Sequence, residues 1–162
     1  MLNSKHALYD SPALTREYVE EWVKNGPSND LIKQVDKFGE YIAKLLQKTP
    51  YNRKTNDNNK DIGKEENVTT SQIRQIFGKL KSIEAKGYDS TGMRTEFIML
   101  KPLLAYAAGR HDKTGIDRLK DRVNWGIDAV LNGPVEEETK RFKNFCKLFE
   151  AILAYHKAHG GK

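Results

Sequence analysis

The feature that most limits what this chain can fold into is the spacing of its apolar residues, which recur at three- and four-residue steps in nearly every long segment. No stretch alternates β-branched and polar residues between turn signals, so strands have no support and the chain is expected to be all-α. Leu31, Val35, Phe38, Ile42 and Leu45 form one such stripe. Ile73, Ile76, Phe77, Leu80 and Ile83 form a second, and Ile116, Leu119, Val123, Ile127 and Val130 a third. Phe142, Phe145, Phe149, Ile152 and Leu153 give the last helix a strong core face. Each stripe needs a partner helix to cover it. With 162 residues, a single-domain bundle of about five to six helices is the expected architecture.

Helix starts and stops can be placed from local chemistry. Ser11 before Pro12 reads as an N-cap, and the helix through ALTREYVEEWVKN is expected to stop at Gly26-Pro27. Thr69 with Gln72 three residues later is a capping-box pattern opening TTSQIRQIFGKL, whose helix should end near Gly87. TGMRTEFIMLKPLLAYAAGR is expected to start at a Ser90 or Thr91 cap and close at Gly109, with Pro102 kinking the helix or dividing it. Thr114 is read as the cap of the next helix, and Pro134 as the start of the last. There Glu136, Glu137 and Glu138 suit the positive end of the helix dipole. Between these elements YNRKTNDNNKDIGKEENV is nearly free of apolar residues, so residues 50–68 are expected to be a mobile polar loop. The expected division is residues 1–49 as N-terminal helices, the 50–68 loop, and residues 69–162 as a basic helical bundle that packs with the N-terminal helices as one domain.

Charge is unevenly distributed. Residues 1–68 hold 11 Lys or Arg and 11 Asp or Glu, whereas residues 69–162 hold 17 and 11, so the whole net charge of +6 lies in the second part. That asymmetry suggests a polyanionic partner. Arg74 and Lys81 flank the stripe of their helix, Arg110 follows Gly109, and Arg118 and Arg122 sit four apart, expected on the side away from Ile116, Leu119 and Val123. Such placement suits phosphate contacts, although a solvated face is the ordinary fate of Lys and Arg. Lys140, Lys143 and Lys147 form a similar outward stripe closely preceded by acids. Trp125 is expected to project with Arg118 and Arg122, covered either by the N-terminal helix or the 50–68 loop, or by a neighbouring subunit or RNA.

Catalytic and metal chemistry find little to use. His6, His111, His156 and His159 form no HExxH or Cys/His array, and no Gly-rich segment has P-loop spacing, so no catalytic residue, metal or cofactor is expected. His156 and His159 near the final Gly160-Gly161 read as helix-end hydrogen bonding before a metal pair, and His111-Asp112 as loop or nucleic-acid contact before an acid–base pair. The single Cys146, among phenylalanines, reads as a small buried apolar group. The longest apolar stretches are far below the ~20 residues that span a bilayer, and the N-terminus lacks a signal-peptide core, so the protein is expected to be soluble and cytoplasmic. A helix-turn-helix reading of TTSQIRQIFGKL would make the chain a DNA-binding regulator. It needs a first helix and a short turn where the polar loop stands.

Three segments in order, VTTSQIRQIFGKL, AYAAGR and FKNFCKLFEAILAYHKAHGGK, with NRK at residues 52–54 ahead of them, resemble the small helical subunit of type III-A CRISPR effector complexes, the Csm complexes. The resemblance covers about residues 45–162. It leaves residues 1–44, with an extra helix, unmatched. It implies a non-catalytic all-α bundle in antiviral defence, several copies of which stack along guide RNA and target RNA and support the target strand. The implied partners are the large and backbone subunits, copies of the chain itself, guide RNA and target RNA, with no small-molecule substrate. By residue, the family's basic surface maps onto Arg53, Lys54, Arg74, Lys81 and Arg110, to which helical geometry adds Arg118 and Arg122. Phosphate contacts of this kind carry little base information, as befits a complex whose specificity comes from guide pairing.

Overall fold

In the computed structural model, residues 13–44, 68–111 and 114–162 are described, and they form an all-α bundle. Its helices are α1 (Arg16–Asn25), α2 (Asn29–Lys44), α3 (Thr70–Lys86), α4 (Met93–Ile98), α5 (Leu100–His111), α6 (Thr114–Leu131) and α7 (Glu138–Ala158). A 3₁₀ turn, Val135–Glu137, leads into α7. The last helix is the axis of the bundle: α1, α2, α3 and α6 all pack on it, α1 also packs on α6, and α4 and α5 bridge α3 to α6.

Most residues of the predicted stripes are inside, and Leu45 lies outside the described residues. Leu31, Val35, Phe38 and Ile42 of α2 are buried, as are all five of α6 and Phe142, Phe145, Phe149 and Ile152 of α7. Ile76, Phe77 and Leu153 are only partly buried and pack on the rim of the core. Burial at roughly 25 cal/mol per Å² of apolar surface is the main favourable term for such a bundle. The N-terminal helices are integral to it. Trp22 of α1 donates from Nε1 to the Asn144 carbonyl at 2.9 Å, and Asn144 Nδ2 returns a bond to the Val23 carbonyl at 2.9 Å. On α2, Gly39 lets the helix touch α7 backbone to backbone: a Cβ there would lie 2.6 Å from Tyr155 Cβ and 2.9 Å from the His156 amide nitrogen. Any larger residue would push the two helices apart.

Local chemistry places some ends where the sequence puts them. Gly26 ends α1 at φ 84°, a left-handed backbone value that suits glycine. Ser28 Oγ accepts from the Leu31 amide at 3.2 Å and starts α2. The capping box of α3 is complete: Thr69 Oγ1 accepts from the Gln72 amide at 3.2 Å, and Gln72 Oε1 accepts from the Thr69 amide at 2.9 Å.

Other ends differ. Ser11 and Pro12 lie outside the described residues, and α1 begins at Arg16 rather than after Pro12, because Ala13 and Leu14 bend away and Leu14 takes φ 53°. The N-cap of α4 is Gly92, not Ser90 or Thr91; Ser90 Oγ instead donates back to the Lys86 carbonyl at 2.6 Å and closes α3. Pro102 coincides with a division. The chain breaks at Met99, and Pro102 is the third residue of α5, where a backbone donor would have no helical acceptor. Gly109 does not stop α5, which runs on to His111 and carries Arg110 within it. Pro134 starts the 3₁₀ turn, and α7 proper begins four residues later. Of the expected polar loop, residues 50–67 lie outside the described residues. Val68 is buried and donates to the Ile42 carbonyl at 2.9 Å.

Candidate nucleic-acid interface

The basic side chains of α3 stand on two flanks. Arg74 and Lys81, seven residues apart, share the flank that turns toward α7. Lys81 Nζ sits 5.3 Å above the Phe77 ring, which is stacked on Phe149 of α7, and pairs with Glu84 at 3.0 Å. Arg74 is exposed on that flank. On the other flank, α3 and α5 enclose a groove of about 190 Å³ whose walls include Gln72, Gln75, Ile76 and Lys79 from α3, and Leu103, Tyr106 and Arg110 from α5. The groove continues toward α4 past Ser82, Lys86, Met93 and Glu96. Lys79 and Arg110 are the charged residues of the part between α3 and α5, and its continuation adds Lys86 and Glu96.

The sequence-derived candidates therefore do not form one cluster. Arg74 and Lys81 are together, and Arg110 is on the opposite flank with Lys79. Arg53 and Lys54 lie outside the described residues. Arg118 is half-buried on α6, 3.9 Å from Asp121. Arg122 corrects the expectation of an outward side chain. It is only 4% exposed, donates from Nη2 to the Ala13 carbonyl at 3.1 Å, and lies against the Phe38 and Trp125 rings at 4.7 and 4.9 Å. Burial lowers its pKa to about 10, which still leaves it charged at neutral pH. The reason is that α1 and α2 cover this side of α6, so a residue off the core stripe is enclosed anyway. Trp125 is partly buried against the same core, with Arg122 as part of its cover.

Sequence reasoning missed Lys79, Lys86 and Tyr106. Their signals were present: Lys79 and Lys86 are seven apart, like Arg74 and Lys81, and Tyr106 is four before Arg110, hence on one helix face with it. The Lys140, Lys143 and Lys147 stripe is exposed as expected.

The histidines near the C-terminus do not converge. His156 is fully buried and donates from Nε2 to the Val68 carbonyl at 2.7 Å, while its Nδ1 has no partner. His159 instead meets Asp36 of α2 through Nε2. Among the described residues no group of three or more His, Cys, Asp or Glu could hold a metal. Cys146 is buried, and desolvation pushes its thiol well above the ordinary range. No helix among the described residues is long and apolar enough to cross a membrane.

The His156 geometry has a pH consequence. Burial lowers its pKa below the ordinary value, so the unfolded chain takes up a proton near pH 6.5 that the folded chain resists. The stability this contributes is complete above pH 6.5 and lost as pH falls below it. The denaturation midpoint is expected to drop between pH 7.5 and 5.5, and His156→Gln, which can keep the bond to Val68, to show a shallower drop. Equal slopes would assign the pH dependence to other groups.

The start of α3 is not free to enter a DNA groove as a recognition helix does. Thr70 in its first turn is buried, and its Oγ1 donates to the Gly161 carbonyl at 3.2 Å, so the C-terminal residues lie across it.

The family model described as Csm2 Type III-A matches residues 47–162, which leaves α1 and α2 outside the match. A relative described as "CRISPR system Cms protein Csm2", from Enterococcus italicus, is 32% identical over an alignment of 104 residues, covering 56% of this chain and 66% of the relative. The chain thus spans just under two thirds of that relative's length. No solved structure matches the chain. With the match covering α3 to α7 and both flanks of α3, the chain belongs to the Csm2 family of type III-A CRISPR systems.

Proposed function

We propose that this chain is the non-catalytic, RNA-binding small subunit of a type III-A CRISPR ribonucleoprotein effector, stacking in several copies along the guide RNA–target RNA duplex and supporting the target strand. The observation that supports it most is the concentration of exposed cations on α3 and α5, inside the family match and within the part of the chain that carries the whole positive excess. Arg74, Lys79, Lys86 and Arg110 are exposed on rigid helices, which suits them to phosphate oxygens of a backbone whose sequence is read by the guide. Lys81 and Arg118 contribute less, because each has a carboxylate neighbour. Arg122 serves the fold. The family resemblance adds Arg53 and Lys54, outside the described residues, as further RNA contacts of this reading. The large and backbone subunits, copies of the chain, guide RNA and target RNA are the partners of this reading, in the cytoplasm.

A tagged copy expressed in its native host tests it. Co-purification of several Csm subunits with a short repeat-derived RNA is expected. Recovery of a specific duplex DNA with no RNA and no Csm subunit would overturn the proposal in favour of a DNA-binding regulator.

A further inference from the structure

Met99, Leu103 and Tyr106 stand on one face of the α4–α5 segment, at steps of four and three residues, and are 47%, 44% and 70% exposed. Scattered apolar residues on a surface are ordinary, but three in a row beside a groove mark a place where something binds. The neighbouring positions Leu100, Leu104 and Ala108 are buried, so α5 is held firmly and its outer face is presented as a rigid platform. Leu103 and Tyr106 line the α3–α5 groove, with Lys79 on one wall and Arg110 one turn beyond Tyr106. Its volume of about 190 Å³ is below the ~300 Å³ at which small-molecule pockets begin, and matches one planar ring system better than a row of helix side chains.

We infer that Tyr106 is a stacking platform for one unpaired nucleobase of a single-stranded RNA segment, seated at the mouth of the α3–α5 groove while Lys79 and Arg110 hold the flanking phosphates. The inference rests on the RNA-binding reading above and deepens it. Single strands are bound by this combination of an aromatic face and a cationic groove, and stacking tolerates any base because every base has a π-face. The charge of the groove selects the occupant: Lys79, Lys86 and Arg110 outnumber Glu96 along it, which favours a polyanion over a helix of a protein partner. Gln75, exposed at the same groove, offers both a donor and an acceptor to a base edge without fixing its identity.

The test uses the full-length chain, fluorescence anisotropy at low salt, and two single-stranded RNAs of equal length and charge, one carrying bases throughout and one abasic at its central positions. Tyr106→Ala is expected to weaken binding of the normal strand about tenfold, a loss typical of one stacked base. Tyr106→Phe should stay within about twofold, because the ring is kept. The abasic strand should bind the wild type weakly and be indifferent to either variant. If Tyr106→Ala binds the normal strand like wild type, stacking is refuted while the RNA-binding reading stands. If Tyr106→Phe loses as much as alanine, the hydroxyl is the contact and the platform is refuted. If the wild type binds neither strand in a salt-dependent way, both the inference and the proposed function fail. A photo-crosslinker placed at position 106 in the assembled particle should label RNA; labelling a protein subunit instead would overturn the inference.

Discussion

Phe97→Ala is expected to lower unfolding stability by about 4 kcal/mol, a value typical of a fully buried phenylalanine, and the midpoint temperature by roughly 8–16 °C for a chain of this size. Phe97 has no exposed surface and meets Tyr88, Phe142 and Phe145 edge-on at 5.8, 5.2 and 5.3 Å between ring centres. Such contacts add to simple burial. Phe97 is also the only buried residue of α4, and a helix of six residues has too few backbone bonds to persist alone. Its loss should therefore release α4 first, seen as loss of amide protection across Met93–Ile98, and with it the hold on the α3–α5 angle that shapes the groove. Met99→Ala, two residues on but 47% exposed, should stay within about 0.5 kcal/mol. A Phe97→Ala variant that unfolds within about 1 kcal/mol of wild type would mean that the aromatic cluster is not the centre of the core.

The second large effect concerns salt. If Arg74, Lys79, Lys86 and Arg110 each meet one phosphate of a single strand, four counterions are displaced, and affinity should fall about fifty-fold between 50 and 200 mM salt, from a slope of roughly −0.7 per contact. Arg74→Ala and Arg110→Ala should each weaken binding and flatten that slope by roughly 0.7, with thermal unfolding nearly unchanged because both side chains are exposed. Arg122→Ala provides the contrast. Its hydrogen bond to Ala13 and its two ring contacts are internal, so stability should fall by about 1–3 kcal/mol while the salt slope of the folded fraction keeps its value. Affinity that stays flat from low to moderate salt would refute the electrostatic reading.

Most of the architecture was legible in the sequence, for local reasons. Apolar residues at three- and four-residue steps fix which side of a helix must be covered. A capping box such as Thr69 with Gln72 satisfies first-turn amides within four residues, and so needs nothing distant. Gly26 at the end of α1 is of the same kind. Ends that depend on neighbours were not legible. Gly109 has the composition of a stop, but it lies inside α5 because nothing at that point of the chain requires a left-handed residue.

What the chain alone determined about this protein is its all-α class, its stripes, its basic second part and, through three motifs, its family. The tertiary structure decided which cations face solvent. A helical wheel places a residue relative to one buried stripe, whereas α6 is enclosed on two sides, by α7 and by α1 and α2, so Arg122 is inside although it lies off the stripe. The same limit hid the groove: Lys79 of α3 and Arg110 of α5 are about thirty residues apart in sequence, and only the fold, which sets α3 and α5 on either side of one groove, brings them to one surface. Long-range packing sets the exposure of a side chain, and exposure is what turns a positive charge into a binding contact.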